Sequence, residues 1–251
     1  MTRLIRAEFA RLRTTQVWLW MLVAALAVTA LLVIAQLASK DGVQSQRDAV
    51  GVFTSSGSAY IVVFVLGVLG VTTEFRYQTI TSTVLTTPSR WALISAKLIT
   101  YALVGAAYAF ACVLVQLAIA LPWLPSKGYD IGLTSQHVPR ALLGVFAVVT
   151  LFGIVGLGAG ALIRNQIVAV SVGVVFLIVI NNVLAIIPGV KYVFPFTPVG
   201  GADSLFTFDG DRSFGNGVTL LPGWGGVIVL LLWAFVPAVL GAGLTMTRDI
   251  T

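Results

Sequence analysis

Apolar residues in this chain come in six long runs separated by polar connections. A helix needs about 20 apolar residues to cross about 30 Å of hydrocarbon. Stretches of that length run from Gln16 to Ala38, Val52 to Thr73, Leu98 to Leu121, Ala141 to Ile163, Ile167 to Ile187 and Pro222 to Met246. The pattern predicts an all-α integral membrane protein with six transmembrane helices. Residues 3–15 follow a different rule: Ile5, Phe9 and Leu12 recur at i, i+4 and i+7, and Arg3, Arg6, Arg11 and Arg13 gather on the opposite arc. That is the pattern of an amphipathic helix lying in the membrane interface, its arginines anchoring it to lipid headgroups. The same arginines also serve as a plain topological signal.

Two connections carry structure of their own. Between Glu74 and Lys97, Tyr77, Ile80 and Val84 share one helical face, while Thr79, Thr81 and Thr83 favour a strand. We read a short helix there, closed by Pro88 because proline cannot continue a helix and pushes its predecessor towards extended geometry. The simpler alternative is a solvated loop with Arg90 and Lys97 at the headgroups and Trp91 in the aromatic belt. Between Pro188 and Leu221 the chain is too long for a plain linker. Its aromatic residues, Tyr192, Phe194, Phe196, Phe206, Phe208 and Phe214, suit either a re-entrant segment or an aromatic-belt loop. Thr197-Pro198 reads as an N-cap followed by proline at the first helical position, so a short helix is expected near Pro198 to Phe206. Asp209-Gly210-Asp211 lacks the spacing of a calcium loop and reads as a turn.

Charge orients the spans. With the N-terminus inside, nine basic residues (Arg3, Arg6, Arg11, Arg13, Arg76, Arg90, Lys97, Arg164 and Arg248) fall on the cytoplasmic side and six on the other. Lys/Arg asymmetry sets orientation, so both termini are expected in the cytoplasm. The formal net charge of +6 then reflects topology and needs no nucleic-acid partner. Hydrophobic residues make up 58% of the chain and charged ones 10%, which excludes a soluble domain and leaves residues 1–251 as one membrane domain. The first span is too long for a signal-peptide core and is expected to be retained. One cysteine, Cys112, and one histidine, His137, provide neither a disulfide nor a metal constellation, so no metal is expected.

Polar and small residues inside the spans mark contacts. Gly153, Gly156 and Gly160 share a face of the fourth span, where small residues let helices approach closely. Asn181, Asn182, Gln36 and Gln116 are costly in lipid and should face protein or a pathway, the simplest role being an interhelical hydrogen bond. Thr54, Ser55, Ser56 and Ser58 can return hydrogen bonds to their own helix. None of the four lysines, Lys40, Lys97, Lys127 and Lys191, follows a glycine or precedes Ser or Thr, so the chain has no P-loop. A secondary, ion-coupled transporter is the alternative to an ATP-driven one. Such proteins place ionisable groups near the midplane, whereas here they sit at span ends. A membrane-embedded hydrolase lacks its constellation, since Asp130 lies in a loop and His137 has no buried serine partner.

A glutamate closing the second span (Glu74), a Thr-rich segment, the element Leu85-Thr86-Thr87-Pro88-Ser89-Arg90 and a lysine opening the third span (Lys97) resemble the permeases of type-2 ABC exporters. The resemblance extends to the order of the interfacial helix, the six spans and the two long connections; one departure is Gln78, where such permeases often have Gly. It implies a cytoplasmic coupling helix at which Glu74, Arg76, Tyr77, Ile80, Val84, Pro88 and Arg90 meet an ABC ATPase. It also implies short re-entrant helices between spans five and six that form the extracellular gate, with Phe194, Phe196 and Phe206 at the gate and Asn181 and Asn182 towards the pathway. On this resemblance the chain is a non-enzymatic permease subunit of the plasma membrane. It binds no cofactor itself, ATP and Mg belong to two partner ATPase copies, and a second permease copy, identical or paralogous, completes the pathway. The substrate is open, because a lipid, a drug and an apolar peptide would all accept a path lined by Gly, Ala and Phe.

Overall fold

The computed structural model describes residues 2–39, 43, 46–77, 90–126, 128, 137–206, 213, 214 and 217–247. Within them six helices are long and apolar enough to cross a membrane, and the protein is an all-α integral membrane protein. Helix α1 (Thr2–Thr14) precedes the first span, α2 (Val17–Ala38). The two are separate because Thr14 and Thr15 turn their hydroxyls back onto the carbonyls of Arg11 and Leu12, at 2.8 and 3.0 Å, an arrangement that competes with helix continuation. A short helix α3 (Gln46–Val52) and a 3-10 turn (Ser55–Ala59) lead into α4 (Tyr60–Arg76). The apolar stretch read from Val52 is thus built from three pieces, with its regular helix starting later and ending three residues beyond Thr73.

The third span, α5 (Arg90–Ser126), is 37 residues and about 55 Å long at 1.5 Å per residue, well beyond the apolar stretch from Leu98 to Leu121. The fourth, α6 (His137–Ile163), is the most enclosed of the six, and its inward side carries Val148, Phe152 and Val155. Arg164, in the left-handed region at φ 54°, closes α6. Asn165 then caps α7 (Gln166–Val175) by accepting from the amides of Ile167 and Val168. This two-residue reversal pairs spans four and five without a loop. The fifth span continues through a π-turn (Phe176–Ile180) into α8 (Asn181–Ile186), and the sixth is α10 (Gly223–Thr247).

Spans two and four touch at backbone distance. A methyl group at Gly67 would lie 2.2 Å from the Gly153 carbonyl oxygen, and one at Gly156 would lie 2.0 Å from that of Phe64. Gly160 faces Val68 in the same way, at 2.8 Å. Larger residues on this seam would force the helices apart. The polar side chains of the opposite half are also used between elements: Gln116 donates to the Val52 carbonyl at 2.7 Å, and Ser55 donates to Gln36 rather than to its own helix.

Between spans five and six lie a 3-10 helix (Lys191–Phe196), α9 (Pro198–Leu205) and a two-residue antiparallel pair, β1 (Ser213–Phe214) with β2 (Val218–Thr219). Helix α9 begins where the Thr-Pro pair predicts, with the Thr197 hydroxyl accepting from the Gly200 amide at 3.1 Å. The β-pair has no counterpart in the sequence reading, being too short to leave an alternating pattern. The expected coupling helix falls on residues 78–89, so Ile80, Val84 and Pro88 lie outside the described residues.

Candidate functional site

The end of the bundle that carries α1 is held by a four-charge cluster. Lys97, in the third turn of α5, donates to both oxygens of Glu8 at 2.9 and 3.0 Å, and also to Glu74 in the last turn of α4. Arg11 closes the group by donating to the same oxygen of Glu74. Glu8, Glu74 and Lys97 are 7%, 1% and 5% exposed. Two acids and two bases cancel, and each ion has hydrogen-bonding partners, which is what makes such burial tolerable. The cluster ties α1 to the two spans that border residues 78–89.

This geometry corrects one expectation. Arg11 does not join Arg3, Arg6 and Arg13 on an outward arc; it turns inward to Glu74. Glu74 is sealed inside the cluster, and the exposed residues of that helix end are Arg76 and Tyr77. Arg76 donates to Gln166 at 3.3 Å, and its guanidinium lies 5.8 Å from the centre of the Tyr77 ring. Arg90 heads α5. Glu8 and Tyr101 were not singled out by sequence reasoning. The signal for Glu8 was present: three residues after Ile5 and four before Leu12, it is an acid on the apolar face of an otherwise basic helix. Tyr101 fills the space that Gly70 leaves, where a methyl group would fall 1.9 Å from its hydroxyl oxygen.

Asn181 stands at the π-turn of the fifth span. Its amide nitrogen donates to the Phe176 carbonyl five residues back, at 2.7 Å, and its buried Oδ1 has no hydrogen-bond partner. An unsatisfied buried acceptor costs on the order of 1–3 kcal/mol, and π-turns recur at functional positions. Asn182, by contrast, is exposed and bonds back to Ile178.

At the opposite end, α9 and the 3-10 helix pack over α10 and form a cap. Phe194 is buried beside Ala185 of the fifth span and Val218 and Leu220 of the connection. Phe206 wedges against Gly57 and Gly144. Phe196 is exposed, and its carbonyl accepts from the Trp233 indole at 2.9 Å. Burial pushes the Asp203 carboxyl in α9 up to about 7. The structure therefore brings Glu8, Arg11, Glu74 and Lys97 together at one end, and gives the three phenylalanines different surroundings: Phe194 is buried, Phe196 is exposed and Phe206 lies against Gly57 and Gly144.

No curated protein matches the chain significantly. Residues 4–190, from α1 through the fifth span, match the family described as ABC-2 family transporter protein. That region contains the charge cluster, the glycine seam and the π-turn of Asn181, and the chain belongs to the ABC-2 family of transporter proteins.

Proposed function

We propose that this chain is the membrane-spanning permease of an ATP-driven ABC exporter in the plasma membrane. In this reading two permease copies, identical or paralogous, form the pathway, and two copies of a separate ABC ATPase bind ATP and Mg. The Lys/Arg asymmetry supports placing both termini and residues 74–97 in the cytoplasm. The observation that carries the coupling role is the buried Glu8–Lys97–Glu74–Arg11 cluster. A segment pushed by an ATPase moves spans only if its two anchoring helix ends are rigidly joined, and here both are fastened to each other and to α1. The cap between spans five and six is the gate on the outer side in this reading, and Asn181 faces the pathway.

Helix-in-groove docking depends on apolar anchors. Ile80→Asp and Val84→Asp are therefore expected to uncouple transport from ATP hydrolysis in proteoliposomes containing permease and ATPase, with membrane insertion unchanged. Transport and hydrolysis rates equal to those of the native complex in both variants would remove residues 77–87 from the mechanism.

A further inference from the structure

Beside the charge cluster, a cavity of about 360 Å³ opens between α1, the first turn of α2 and the last turns of α4. Its volume falls at the lower end for a small-molecule site. Its lining combines apolar side chains, Val17, Trp18, Leu66 and Leu69, with Thr73 and the charged side chains of Glu8, Arg11 and Arg76. Glu8 is neutralised by Lys97, and Arg11 by Glu74. Arg76 is left: its bond to Gln166 is long and neutral, and among the described residues it pairs with no carboxylate. The cavity thus joins an apolar arm, on the side of the spans, to a guanidinium at the end of α4 that no described carboxylate neutralises.

From this juxtaposition we infer that the cavity is a binding site for an anionic phospholipid, with Arg76 on the phosphate and the glycerol end of an acyl chain against Trp18 and Leu69. A guanidinium matches the paired oxygens of a phosphate. A zwitterionic choline lipid would bring its own cation against the same arginine, so the site discriminates by charge. In the orientation proposed above, this end faces the anionic cytoplasmic leaflet. The lipid would fill the wedge between α1 and spans one and two, holding the interfacial helix over the charge cluster. The inference does not depend on ATP coupling, and its test exposes both ends of the protein.

The full chain, purified in detergent, is incubated with an equal mixture of phosphatidylglycerol and phosphatidylcholine, and bound lipids are counted by native mass spectrometry. The native chain should retain phosphatidylglycerol preferentially. Arg76→Gln should weaken that retention about tenfold, the loss of one charge-assisted contact, while Lys191→Gln at the opposite end, which removes the same charge, should leave it intact. Leu69→Trp, which fills the apolar arm without touching a charge, should also reduce it. Equal retention of the two lipids by the native chain, or equal losses in Arg76→Gln and Lys191→Gln, would overturn the site. Displacement of the lipid by millimolar glycerol phosphate, or full retention in Leu69→Trp, would show a small-anion site and reject the lipid.

Discussion

At the scale of single residues, Lys97 carries the largest electrostatic consequence. It touches both acids of the cluster, so removing it strips Glu8 of this ion pair while Glu74 keeps Arg11. Breaking a buried ion pair by deleting one partner costs about 3–5 kcal/mol. Lys97→Met should therefore lower the midpoint of thermal unfolding in detergent well below that of the native chain. Glu8→Gln, which leaves Glu74 paired with Arg11, should cost less. Combining Glu8→Gln with Lys97→Met should destabilise by less than the sum of the two, since residues in one network are not additive. Strict additivity would mean that the 2.9 and 3.0 Å contacts between Lys97 and Glu8 contribute nothing to stability.

Between elements, the decisive contact is the seam of spans two and four. Transmembrane helices gain little from apolar burial against one another, because lipid is as apolar as the partner; close packing has to supply the attraction. Gly67, Gly153, Gly156 and Gly160 let the backbones meet. At Gly156 the nearest atoms are backbone, which has no rotamer to yield. Gly156→Ala should cost about 1–3 kcal/mol, in the range of overpacked cores, and Gly156→Leu should part the helices. Thermal unfolding in detergent would report this: the midpoint should fall modestly in Gly156→Ala and much further in Gly156→Leu. A midpoint unchanged in Gly156→Leu would show that the seam tolerates separation there.

For the whole molecule, the arrangement of charge is the testable quantity. The cluster, Arg76 and Arg164 all gather at the end that carries α1; the Arg164 guanidinium lies 5.7 Å from the centre of the Phe75 ring, in the last turn of α4. The α9 cap occupies the other end. In the proposed orientation, single cysteines at Ser89 and Ser213 in a Cys112→Ala background should respond oppositely to an impermeant thiol reagent on intact cells, with Ser213 labelled and Ser89 protected. The reverse result would invert the protein in the membrane and move the proposed ATPase-facing end outside.

Local sequence determined the fold class and the number of spans through hydropathy, and the short helix after Thr197 through its capping pair, because each depends on local chemistry: apolar length against bilayer thickness, and a hydroxyl cap followed by proline. What it missed was set by residues distant in the chain. Glu8 and Lys97 are 89 positions apart, and hydropathy at either site reads only as a charge near a span end. The inward turn of Arg11 is of the same kind: its position on the helix is local, but its partner Glu74 is supplied by another span. Periodicity could not resolve the fifth span into α-, π- and α-helical segments, since apolar residues continue across all three. Nor could it separate Phe194, buried, from Phe196, exposed, two residues away. Tertiary structure decided which charges of the cluster neutralise one another and that Arg76, on the cavity beside it, pairs with no described carboxylate, because pairing in a low-dielectric interior depends on distances across helices and not on spacing along them.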